Sequence, residues 1–191
     1  MISFIFLPFL TLLTTLLHGT NASAAPATGS HFETDVFKRH IDPTSIRRSI
    51  AQRSAFLQAH NSVRAQHNAA PLKWSVSLAQ MAEQWADACN FKHTGGILSD
   101  ESYGENIVAA TGNFPINAAV GTFVQDEGSY NPVHPVYNHF TQVVWRSTTH
   151  LGCAVSTCSN IFPGKGPATL YVCLYNPAGN IVGEIVQNVH I

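Results

Sequence analysis

The sequence predicts an α+β domain. Two amphipathic runs at helical spacing come first, two short alternating runs come late, and that order argues against a doubly wound α/β sheet. The chain has 191 residues. About 170 remain after removal of a leader, enough for one domain with a real core.

The first helix is expected over about Ile50 to His67, where Phe56, Leu57, His60, Val63 and Arg64 recur at three- and four-residue steps, and Pro71 follows as a breaker. Ser75 is a natural N-cap for a second helix with Leu78, Ala82, Trp85, Ala86 and Cys89 on one face. A loop with Gly95-Gly96 follows, then a third helix from Ile116 to about Glu127, ending at Gly128. His134 to Asn138 reads as a Pro- and aromatic-bearing loop. Gly152–Ser156 and Thr169–Tyr175 alternate as strands, with Ser159–Pro167 as the hairpin loop between them.

Ahead of this domain, expected over 49–191, lie two zones of different composition. Met1 to Leu17 carries no charged side chain, and Ala22-Ser23-Ala24 fits a cleavage site, so residues 1–24 read as a secretory signal peptide. A transmembrane anchor is the poorer reading, since the apolar run is about 16 residues and a span needs about 20. Residues 25–48 hold Pro26, Gly29, Pro43 and the dibasic pairs Lys38-Arg39 and Arg47-Arg48. They read as a flexible extension or a pro-segment.

Only 11% of the chain is charged, with 10 Lys plus Arg against 11 Asp plus Glu. That balance gives no electrostatic footprint for nucleic acid. In an oxidising compartment the four cysteines, Cys89, Cys153, Cys158 and Cys173, imply two disulfides, and spacing alone leaves three connectivities open.

Two imidazoles, His93 and His139, and the acids Glu105, Asp126 and Glu127 are a competent donor set for a divalent ion such as zinc. Their spacings are long and irregular, and hydrogen-bonded core histidines are the competing reading. No G-x-S-x-G or H-E-x-x-H pattern supports hydrolysis. His60, Asn61 and Arg64 share a helical face and read, with Gln142, as a structural polar network.

Several blocks together carry a resemblance. They are Phe56–Arg64 with Pro71-Leu72-Lys73-Trp74, Trp85–His93, Tyr103–Ile107, His139-Phe140-Thr141-Gln142-Val143-Val144-Trp145, and Leu170–Asn180. In this order they resemble the CAP superfamily of cysteine-rich secretory, antigen 5 and pathogenesis-related class one proteins. The resemblance covers about Ala51 to Val186. It implies a three-layer α-β-α sandwich with a small antiparallel, three-stranded sheet between helices. It also implies a cleft in which His93, Glu105, His139 and a third-helix acid hold a divalent metal. Asp126 fits that last slot one methylene short of the family's usual Glu, with Glu127 beside it. The disulfides implied are Cys89–Cys153 and Cys158–Cys173.

Fungal-like members bind sterols and related small hydrophobics. The corresponding loop here offers Tyr130, Val133, Val136 and Tyr137, with Phe140 just beyond. The function implied is a secreted, non-enzymatic carrier of sterols or fatty acids, with a host surface or membrane sterol as a further target. A host-interaction or signalling protein is the alternative, including release of a peptide from Pro177 to Ile191. A metal-dependent hydrolase is the other.

Overall fold

The computed structural model describes residues 42–191. The expected signal peptide and most of the expected extension lie outside the described residues. Helix α1 runs Pro43–Gln66, β1 Lys73–Trp74, α2 Val76–Asp87, β2 Gly104–Thr111 and α3 Ile116–Phe123. A 3-10 turn, Gln125–Ser129, follows, then α4 His139–Val143, β3 His150–Cys158, β4 Ala168–Asn176 and α5 Ile185–Asn188.

α1 begins seven residues before its expected start, inside the segment assigned to the extension. Asp42 caps it, accepting from the Thr44 and Ser45 amides, and Pro43 supplies a preset φ at the first helical position. α3 stops at Phe123, short of the expected Glu127, and the chain tightens into the 3-10 turn.

The sheet order is β1-β3-β4-β2, with β2, β3 and β4 antiparallel and the two-residue β1 parallel to β3. It therefore has the expected three antiparallel strands plus a short parallel edge. Both faces of β4 are covered, and its alternation sorts residues between two cores. Tyr171, Cys173 and Tyr175 join Phe56, Phe123, Phe140 and Leu151 on one face. Leu170, Val172 and Leu174 join Leu78, Ala82, Trp85 and Ala86 of α2 on the other. This is the three-layer α-β-α sandwich, an α+β fold. α2 approaches so closely that a Cβ on Gly152 would lie 2.2 Å from the Ala79 amide nitrogen.

The same parity decides the disulfides, which are Cys89–Cys158 and Cys153–Cys173. The expected pairs Cys89–Cys153 and Cys158–Cys173 are corrected. Cys153 and Cys158 are five apart on one strand and point to opposite faces. Cys89, just past α2, lies on the face of Cys158, in the α2-side core. Cys153 is directly opposite Cys173 in the β3–β4 register, with Cα atoms 4.1 Å apart.

Candidate functional site

His93, Glu105, Asp126 and His139 converge on one cavity of about 360 Å³, lined also by Asn106, Tyr137, Asn138 and Asn180. Glu105 is the second residue of β2, and its side chain is 8% exposed. Its carboxylate accepts from the Thr94 amide at 3.1 Å and contacts Nδ1 of His93 on the loop after α2. His139 opens α4, where Asn138 and Thr141 cap each other's backbone reciprocally. Its Nδ1 lies 3.2 Å from Oδ2 of Asp126, and its ring stacks on Phe123 at a centroid distance of 6.0 Å. Asn180 ties the far wall to this cap, donating to the Asn138 carbonyl and accepting from the Thr141 hydroxyl.

In both pairs a carboxylate is the acceptor, so the imidazole proton belongs on Nδ1 and the Nε2 lone pair is left for a ligand. The chemistry of the donor set fits a divalent cation. The geometry is open, because no three ligand atoms of these residues lie within 4.8 Å of one another. The tighter group among the described residues, His60 with Cys153 and Cys173, offers no thiolate, since both sulfurs are in a disulfide.

Beneath the cavity runs a buried relay. His60 donates from Nδ1 to the Phe56 carbonyl at 2.8 Å and accepts at Nε2 from the Tyr175 hydroxyl at 2.9 Å. Asn106 donates to the Tyr175 oxygen at 3.2 Å and to the His139 carbonyl at 3.1 Å, so α1 and β2 jointly fix the backbone that carries His139. Burial lowers the His60 imidazole from 6.5 to about 4, keeping it neutral, and pushes the Tyr175 phenol above its usual range.

Arg64 is fully buried and meets no carboxylate. Its guanidinium donates to the carbonyls of Ala70, Val143, Trp145 and Thr148, pinning the end of α4 and the segment after it to the loop after α1. Burial lowers it from 12.5 to about 10. Asn61 instead straps the following loop, exchanging two hydrogen bonds with the Leu72 backbone. Gln142 accepts from the Gly179 amide at 3.0 Å and fills the space that a Cβ on Gly104 or Gly179 would need.

Other expected site residues fall elsewhere. Glu127 points away from the cavity, with its carboxylate 3.5 Å from Nε2 of His67, because the 3-10 turn sends adjacent side chains in different directions. The five residues expected to hold lipid do not form one pocket. Tyr130 and Phe140 are buried in the core with ring centroids 6.1 Å apart, while Val133 and Val136 are 76% and 59% exposed. Tyr137 lines the cavity, and its hydroxyl accepts from the Gly183 amide at 2.8 Å. Asn106, Asn138 and Asn180 have positional roles that the sequence reading left unassigned. The Asn-x-x-Thr spacing of Asn138 and Thr141 was the available signal.

The model of the cysteine-rich secretory protein family matches residues 57–175. The chain is 40% identical to fruiting body protein SC14 of Schizophyllum commune over 139 residues, which is 66% of this chain and 62% of that protein. It is 39% identical to secreted protein RBT4 of Candida albicans over 66% of this chain and 35% of that one. The alignments thus span less than two thirds of the first relative's length and about a third of the second's. Among solved structures it matches that of NaASP2 with Zn2+ at a TM-score of 0.54 and 25% identity, over 68% of this chain and 81% of that one. No helix among the described residues is long and apolar enough to cross a membrane. The match to the family model covers more than half of the chain and includes the cavity's two histidines and both acids, so the chain belongs to the cysteine-rich secretory protein (CAP) family.

Proposed function

We propose that this chain is a secreted carrier of small hydrophobic lipids, sterols or fatty acids, with a neighbouring cleft that takes a divalent metal. The observation that carries the reading is a groove of about 680 Å³ between α1 and the start of α3, lined by Ala51, Ala55, Ala59, Pro115 and Ile116 together with the polar Gln52, Gln58, Ser62 and Asn117. Its size falls within the range of small-molecule sites, and its three alanines with Pro115 and Ile116 offer apolar contact to an alkyl or sterol skeleton beside polar groups that can meet a hydroxyl or carboxylate. The exposed Val133 and Val136 beside Tyr137 offer a second apolar contact next to the cleft. Secretion is supported by the leader-like residues 1–24 and by the relative named as a secreted protein.

Filter binding with ergosterol and palmitate tests the lipid reading. Saturable binding of at least one probe is expected, with a drop of about tenfold for Ala55→Trp, which fills the groove. No saturable binding of either probe retires the proposal.

His93 and His139 would hold the metal through Nε2, with Glu105 and Asp126 orienting the rings from Nδ1, and a bound divalent ion would tie the loop after α2 to α4. Zinc is the expected ion, as in the solved NaASP2 structure. Ligating groups must be deprotonated, so zinc affinity measured by titration calorimetry is expected to fall as the pH is lowered from about 7 to about 5. His139→Ala is expected to abolish it. A flat affinity over that range, or one indifferent to the substitution, removes these residues as ligands.

A further inference from the structure

At the far end of α2 from Glu101, two loops present apolar groups and lysines to solvent. Phe91 is 46% exposed and meets the half-buried Phe162 edge to face, with centroids 5.9 Å apart and planes at 73°. Ile97, 73% exposed, lies on the same loop as Phe91. Exposed Lys92 follows the first ring directly, and exposed Lys165 follows the second by three residues. These are two of the three lysines among the described residues.

The stretches that carry the two rings contain no acid, and Asp100 and Glu101 come only at the end of the first loop. Residues 88–99 and 159–167 hold no Asp or Glu, and the one acid at this end of α2 is exposed Asp87, which accepts from the Ser156 hydroxyl. Glu101 lies beside Ser75 and Ser77, at the opposite end of α2. Twelve helical residues, about 18 Å of axis, separate those ends.

The presentation is rigid. The Cys89–Cys158 disulfide joins the bases of the two loops, two residues before Phe91 and four before Phe162. The Trp85 indole donates to the Lys92 carbonyl at 2.9 Å and holds the first loop from below. A fixed aromatic pair flanked by unpaired cations, in a chain otherwise poor in charge, is complementary to an anionic lipid interface. There the rings enter the headgroup boundary while the lysines stay with the phosphates.

We propose that the Phe91–Phe162 pair, with Lys92 and Lys165, is a docking surface for anionic membranes. This surface is separate from the groove, and it adjoins the His/acid cleft where Lys92 precedes His93.

The test is co-sedimentation of the full secreted chain with vesicles of phosphatidylcholine alone and with about 30% phosphatidylserine added. Partition is expected only onto the anionic vesicles, and added salt is expected to weaken it. Lys92→Glu with Lys165→Glu, and separately Phe91→Ala with Phe162→Ala, are each expected to lower it about tenfold. Val182→Ser with Val186→Ser, two exposed apolar residues elsewhere, is expected to leave it unchanged. Thermal unfolding checks that each variant is folded. The proposal is overturned if partition is absent, if it is undiminished by both pairs of substitutions, or if the protein is retained on an acidic polysaccharide resin but not on vesicles.

Discussion

His60 is where one side chain governs the most. Its ring is fully buried and its two nitrogens serve opposite roles, donating to Phe56 and accepting from Tyr175. Protonation at Nε2 would set an N–H against the Tyr175 hydroxyl that now donates to it. The folded state therefore resists the proton down to about pH 4, while the unfolded chain takes it near 6.5. Between those values the unfolded state binds more protons, so acid favours unfolding, and stability is lost as pH falls through that window. Urea denaturation should show wild type losing about 3 kcal/mol more than His60→Gln between pH 7 and pH 4. Equal losses would mean that the imidazole is charged in the fold. Sequence spacing placed His60, Asn61 and Arg64 on one helical face, but it could not say what each one meets. Arg64 serves four carbonyls drawn from residues 6 to 84 positions away, and such partners are set by tertiary packing rather than by local pattern.

At the scale of elements, legibility followed periodicity. α2 and the β3–β4 hairpin stand close to their expected bounds because each carries a clean apolar rhythm. The hairpin loop is Ser159–Pro167 as expected, since β3 ends at Cys158 and β4 starts at Ala168. β2 was not read from its residues. Gly104, Glu105 and Asn106 put polar or small groups at its start, and Ala109-Ala110 blurs the rest. α4 was missed because five residues carry too little pattern, although its cap residues were visible. The disulfides teach a related lesson, since the predicted strand stops at Ser156 and only its extension to Cys158 shows that Cys153 and Cys158 have opposite parity. The contact between α2 and β3 offers a sharp test. Gly152→Ala must push the α2 backbone away, and overpacking of this kind costs about 2–3 kcal/mol, read as a lower urea midpoint. An unchanged midpoint would show that α2 can slide freely on the sheet.

Across residues 42–191, the C-terminal stretch is part of the frame rather than an appendage. Ile185 and Val189 are 3% and 4% exposed in the main core, and Asn188 satisfies the backbone amides of Arg146 and Ser147. Ending the chain at Asn176 removes those contacts. It should cost at least about 4 kcal/mol, a large share of a typical domain's 5–15 kcal/mol, and leave a protein with little cooperative thermal transition. A truncated chain melting within a few degrees of the full one would contradict this. The result also bears on the alternative of a releasable peptide from Pro177 to Ile191, because such release would dismantle the domain that carried it.

The doubly covered sheet sets one more condition. With Leu170, Val172 and Leu174 pressed on one helix layer and Tyr171, Cys173 and Tyr175 on the other, β4 has no side open to a visitor. Whatever this protein meets must be met by the edge strand β2, by segments beyond the strand ends or by the outward sides of the helices. The strands then act as a mount, and the fittings attached to it can diverge while the mount stays the same.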